Sequence, residues 1–237
     1  LSYTISCKYL RLPIMKTNKP ALRITPTYHF VAAVALLVAA VLVSRGEALH
    51  DWEVSLFQFV YGLPGRLLPV FLVITQFGSV YVLAVLLVIY LIRRSYHVVL
   101  RMLMTGLLAY LLAGFVKYAW GRPRPDGLLE GVTNLDYVQG PGFPSGHAAL
   151  ATALAFTLGH YLPKKYRWIV PVWIVSVGTS RLYLGVHAPL DIVGGFAIGW
   201  GAYALFRHVR IYDVSFSRKP PPKSRSSRIT SRKARAH

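Results

Sequence analysis

The chain has 237 residues, 54% of them hydrophobic and only 15% charged. Soluble domains carry about 25% charged residues, so this composition excludes a disordered chain and disfavours an ordinary soluble one. Yet 27 Lys and Arg stand against 8 Asp and Glu, a formal charge of +19, and the single cysteine, Cys7, excludes an internal disulfide.

The N-terminal arm, residues 1–27, is basic and carries no long apolar run; Met15, followed by Lys-Thr-Asn-Lys, fits a translation start. Six uncharged runs follow, at residues 28–44, 78–92, 102–116, 147–162, 168–180 and 192–206. With flanking aromatics each reaches the ~17–25 residues that a bilayer-crossing helix needs. The first run is followed by no small-residue cleavage site, so it reads as a retained crossing rather than a signal peptide. Six runs buried in one large soluble core would leave too little polar surface. Residues 54–61 and 67–77 form shorter stretches, expected to lie along the interface or to extend the second crossing. The expected fold is therefore all-α, a six-transmembrane-helix bundle over residues 28–206 with an interfacial helical segment after the first crossing. The tail, residues 207–237, is rich in Arg, Ser and Pro and reads as disordered.

The charges sort by side. The arm, the turns holding Arg93, Arg94 and Arg101 and then Lys164, Lys165 and Arg167, and the tail share twenty-one cations and one acid, Asp213. The other side has six cations and seven acids. The positive-inside rule makes the first side cytoplasmic, together with both termini. From Arg218 onward the basic tail has no aromatic interleaving, so attraction to an anionic inner leaflet explains it better than nucleic acid does.

The six cations left on the poorer side are informative. Lys117 ends the third run; Arg122 and Arg124 follow in Gly-Arg-Pro-Arg-Pro. Pro144-Ser145-Gly146-His147 opens the fourth run, and Ser180-Arg181, His187 and Asp191 bridge the fifth and sixth. Lys117, Arg124 and Arg181 are three cations able to clamp an anion, and arginine forks match phosphate oxygens. Ser145 and Gly146 lie at a helix start, where free N–H groups and the helix dipole favour a phosphate. Of His147 and His187, one can attack phosphorus and the other can protonate the leaving oxygen. Asp191, four residues after His187, can hold the ring tautomer. Taken singly, Lys117 reads as a snorkelling lysine, His187 as an interfacial histidine and Asp191 as a first-turn acid. His29, His97, His160 and His208 have no evident partners in sequence and read as structural. The two key histidines lie far apart amid cations, which argues against a metal site. The connection Gly121–Gly146 has 26 residues, ten of them Gly or Pro, and a loop of that length with candidate ligands at both ends points to function.

The three blocks resemble the signature of the type 2 phosphatidic acid phosphatase/haloperoxidase superfamily: Lys-x6-Arg-Pro, Pro-Ser-Gly-His and Ser-Arg-x5-His-x3-Asp. They match without departure in residue type or spacing, and the resemblance runs from about Asp51 to Phe206. It implies a phosphatase with no cofactor and no metal, in which His187 is the nucleophile and forms a phosphohistidine. It also implies that His147 is the general acid and that Lys117, Arg124, Ser145, Gly146 and Arg181 bind the phosphoryl group. The register selects Arg124 over Arg122. A membrane-level site favours a lipid substrate: undecaprenyl diphosphate, phosphatidic acid or phosphatidylglycerol phosphate, the first preferred. The expected setting is a bacterial plasma membrane, with the site on the extracytoplasmic face. Two rivals are a phosphotransferase of the same superfamily, which passes the group to an acceptor lipid, and a non-enzymatic transporter or channel. The second places ionisable groups within its spans, and this chain has none at mid-membrane.

Overall fold

The computed structural model describes residues 26–45 and 49–207; most of the arm and nearly all of the tail lie outside them. Among the described residues the protein is all-helical, with α1 Pro26–Val43, α2 Asp51–Tyr61, α3 Leu68–Gln76, α4 Val80–Ile92, α5 Tyr96–Trp120, α6 Gly146–Gly159, α7 Ile169–Tyr183 and α8 Pro189–Phe206. Helices α5 and α8 are long and apolar enough to cross a membrane. The α2 and α3 segments reach that mark only as one span bent by 77°. Helices α1, α4 and α6 are apolar. The molecule is an integral membrane protein by these helices.

The centre is the pair α6 and α8. Helix α6 buries every residue from Ala148 to Ala155, whereas α4 buries none. Small residues make the central contact possible. A Cβ on Gly195 would overlap the Ser145 carbonyl, and one on Gly199 the Ala149 carbonyl. Without a hydrophobic drive between helices in lipid, such close backbone approach supplies the packing. Helix α8 also packs on α1 and α5, and α7 packs on α6. A Thr105–Thr157 hydroxyl hydrogen bond of 3.0 Å ties α5 to α6.

Two details go beyond the sequence reading. Segments α2 and α3 pack against the bundle: α2 on α7 and α8, and α3 on α7. Their buried polar residues Glu53 and Thr75 explain why, since each finds its partner inside. The break between α3 and α4 falls at Gly78, where a Cβ would come within 2.7 Å of the His147 carbonyl. The Phe77 carbonyl exposed by the break accepts a hydrogen bond from Trp173 Nε1 at 3.0 Å.

Candidate active site

Four helices bring one end of the bundle together. Lys117 lies in the last turn of α5 and Arg181 in the last turn of α7, while His147 opens α6 and Asp191 opens α8. Chain direction alternates between these helices, so residues at opposite helix ends in sequence share one end in space.

Helix α8 starts with Pro189 at its first position, where the missing N–H costs nothing. Asp191 sits in that first turn and is fully buried. Its Oδ2 accepts from the Ala188 N–H at 2.8 Å and lies 3.3 Å from His187 Nδ1. Its Oδ1 accepts from Arg122 Nη1 at 3.2 Å. His187 stands in the α7–α8 connection, whose turn needs Gly185 at φ +71, and is only 2% exposed. Burial, first, and then the charges of Arg181, Lys117 and Arg124 hold the His187 ring well below the ordinary histidine range; a backbone hydrogen bond to Gly142 opposes them. The ring is therefore neutral at physiological pH, with Nδ1 facing a carboxylate.

Helix α6 begins at Gly146 with Ser145 as its N-cap, its hydroxyl accepting from the Ala148 N–H at 3.4 Å. The Ser145 N–H donates to the Asp191 carbonyl at 2.9 Å, which locks the start of α6 to the start of α8. A Cβ on Gly146 would meet nothing within 4 Å. His147 follows and is half-buried, within electrostatic reach of Arg181, His187, Lys117 and Arg124.

The three sequence-selected cations converge on one segment of the long loop. Lys117 Nζ donates to the Pro141 and Gly142 carbonyls at 2.8 and 3.0 Å. Arg124 donates to the carbonyls of Gly140 at 2.8 Å, Val186 at 2.7 Å and Gln139 at 3.4 Å. Arg181, fully buried, donates from Nη1 to Thr75 Oγ1 at 2.6 Å and to Asp136 Oδ2 at 2.7 Å. Its Nε and Nη2 are buried and have no hydrogen-bond partner in the protein. Buried donors are seldom left so, and these two are chemically suited to an anion.

Several members escape a reading by sequence. Arg122 forms a fork with Glu53, Nη2 to Oε2 at 2.7 Å and Nη1 to Oε1 at 3.3 Å, besides its bond to Asp191. Glu53 also accepts from the Leu190 N–H at 3.2 Å. Gly142 leaves no room for a side chain, since a Cβ would lie 2.9 Å from the Pro123 carbonyl and 3.1 Å from Asp191 Oδ2. One sequence signal was available for Glu53: an acid in an apolar helical stretch is almost never buried unless paired. Among the described residues no three His, Cys, Asp or Glu gather as a metal site would require.

The PAP2 superfamily profile matches residues 98–214. An undecaprenyl-diphosphatase of Sulfolobus acidocaldarius is 26% identical over 182 residues, 73% of this chain and 86% of that protein. The crystal structure of Aquifex aeolicus LpxE superposes with a TM-score of 0.61 at 31% identity, covering 66% of this chain and 96% of that one. A transmembrane PAP2-type phosphatidylglycerolphosphate phosphatase from Bacillus subtilis gives a TM-score of 0.58 at 27% identity, over 77% and 94% of the two chains.

Proposed function

Because this chain belongs to the PAP2 superfamily, we propose that it is a membrane phosphatase that takes a phosphoryl group from a lipid phosphate or diphosphate through a phosphohistidine. The observation that carries this reading is the buried His187–Asp191 pair beside Arg181, whose Nε and Nη2 lack protein partners. The lipid approaches sideways from its leaflet. Its phosphoryl oxygens take the free Arg181 N–H groups, the remaining protons of Lys117 and Arg124, and the N–H groups at the start of α6 around Ser145 and Gly146. Those donors stabilise the charge that grows on the equatorial oxygens.

Asp191 holds the proton on His187 Nδ1, which leaves the Nε2 lone pair to attack phosphorus. The bond from phosphorus to the leaving oxygen breaks as the P–N bond forms, and His147 donates its proton to that oxygen. His147 then takes a proton from water, the hydroxide attacks phosphorus, and the P–N bond breaks to release phosphate and restore neutral His187. Arg122 and Glu53 act through Asp191: Glu53 fixes the Arg122 fork, and Arg122 Nη1 in turn holds Asp191 Oδ1.

The proposed topology has six crossings over residues 28–206, with the shorter apolar helices completed by their flanking aromatics. A basic arm (1–27) and tail (207–237) lie on the cytoplasmic side. The reaction centre faces outward from a bacterial plasma membrane, following the charge asymmetry. Undecaprenyl diphosphate is the preferred substrate, supported by the Sulfolobus relative's name; phosphatidylglycerol phosphate and phosphatidic acid are the competitors. Purified protein is tested for phosphate release from each lipid in excess chelator. His187→Ala is expected to abolish release, and activity that survives that change or that strictly needs a divalent metal overturns the mechanism.

A further inference from the structure

The helices that meet at the reaction centre share a second end. Helix α5 opens five residues before Arg101, α6 ends at Gly159, α7 begins just after Arg167, and α8 ends just before Arg207. At 1.5 Å per residue the 18 residues of α8 hold its two ends ~27 Å apart, close to the ~30 Å of a hydrocarbon core. The second end therefore lies at the opposite membrane boundary.

A cavity of about 380 Å³ opens there, lined by Arg167, Arg207, His29, His160, Trp200 and Tyr203 among others. Four elements contribute: α1, the end of α6, the start of α7 and the end of α8. Aromatic rings form its wall, with Phe156 stacked on Tyr203 at 5.4 Å and His29 edge-on to Trp200 at 5.9 Å. Arg101 also belongs to this group, lying 5.9 Å over the Tyr161 ring and, with Arg167 and Arg207, within electrostatic reach of the Tyr203 hydroxyl. The described carboxylates are all elsewhere. Asp51 and Glu53 are in α2, Asp126, Glu130 and Asp136 in the long loop, and Asp191 at the start of α8. The described residues thus bring cations and aromatics to this cavity and no negative charge. Ile169, Val172 and Leu205, on the same helices, expose apolar surface to the membrane.

We infer that this cavity binds the phosphate headgroup of an anionic phospholipid of the leaflet opposite the reaction centre. Arg167 and Arg207 meet the phosphate oxygens, Trp200 and Tyr203 sit at the boundary of polar and apolar layers, and the exposed aliphatic residues carry the acyl chains. A lipid fits better than a soluble phosphate, because a concave basic site at the membrane boundary and an apolar outer wall occur on the same helix ends.

The test uses the full chain in phosphatidylcholine nanodiscs with increasing phosphatidylglycerol, counting retained lipids by native mass spectrometry. The wild type is expected to retain phosphatidylglycerol over phosphatidylcholine. Arg167→Gln and Arg207→Gln are each expected to weaken that preference roughly fivefold, as one cation at an anionic surface contributes. Hydrolysis by each variant in pure phosphatidylcholine is expected to stay within about twofold of wild type, which reports intact folding; should one variant fail that control, the other decides. Equal phosphatidylglycerol retention by wild type and variants overturns the proposal. So does displacement of the lipid by millimolar inorganic phosphate or by a short oligonucleotide, which would make the site one for soluble anions.

Discussion

At one end of the bundle Arg122 meets Glu53 at 2.7 Å and Asp191 at 3.2 Å, and Arg181 meets Asp136 at 2.7 Å. At the other, Arg167 and Arg207 line a cavity in which the described residues place no carboxylate. Both ends hold arginine beside histidine. What separates them is burial and pairing: Arg122 and Arg181 are buried, whereas Arg167 is exposed. A buried cation without a partner is costly, so the reaction end must supply carboxylates and carbonyls that fix each fork in one pose. A cation at the boundary needs no such fixing, because water and lipid headgroups complete its shell. Only the first arrangement can hold reacting groups within a fraction of an ångström.

Changes at the reaction end test that difference, the largest expected effect first. Gly142→Ala drives a Cβ toward Asp191 Oδ2 and the Pro123 carbonyl; steady-state kinetics are expected to show kcat reduced on the order of 100-fold, the loss that a ~1 Å misplacement brings. Glu53→Gln leaves Arg122 buried against a neutral partner. Thermal or denaturant unfolding in detergent is expected to show a loss of about 3 kcal/mol, and kcat a loss of roughly tenfold as Asp191 loosens. If Glu53→Gln changes neither, the fork is not what holds Asp191.

The pH profile probes the same end more gently. His187 is held well below 6.5 by burial and by neighbouring cations, so it stays neutral, and able to attack, through the pH range just beneath that value. Its protonated form accumulates only as pH falls through the depressed range. The His187 imidazole resonance is therefore expected to titrate only markedly below pH 6.5, and an NMR titration of that ring centred at 6.5 would mean that His187 is not held by that environment. The smallest effect belongs to the far end, where the Arg167 and Arg207 exchanges alter lipid retention and leave turnover nearly untouched.

Much of this was readable from the chain itself. His187 and Asp191 are four residues apart around a helix start, and Ser145 to His147 open another helix, so local geometry alone brings each group together. The cations stood out in the sequence because the charge count leaves few of them outside the basic arm, turns and tail. The partnership of Arg122 with Glu53 was not readable, because it closes over 69 residues and depends on α2 folding back onto α7 and α8. Register selected Arg124 as the phosphate ligand, and the structure gives Arg122 the structural fork. The break at Gly78 looked like the edge of a hydrophobic run; its cause is the approach of the α6 backbone at His147, which no periodicity reveals. Residues 67–77 read as an interfacial stretch or an extension of the second crossing, and composition does not record that Thr75 would reach Arg181.

Lys117 and Arg124 grip the stretch Gln139–Gly142 by its peptide carbonyls rather than by its side chains. Tyr137, two residues earlier, is 89% exposed. A loop anchored through its main chain keeps its position whatever residues decorate its outer surface. Mutation can therefore alter outward residues such as Tyr137 with little effect on the groups beneath, as long as Gly142 and Asp136 keep their places. In evolutionary terms, the outer face of this segment and the groups it covers are free to change at separate rates.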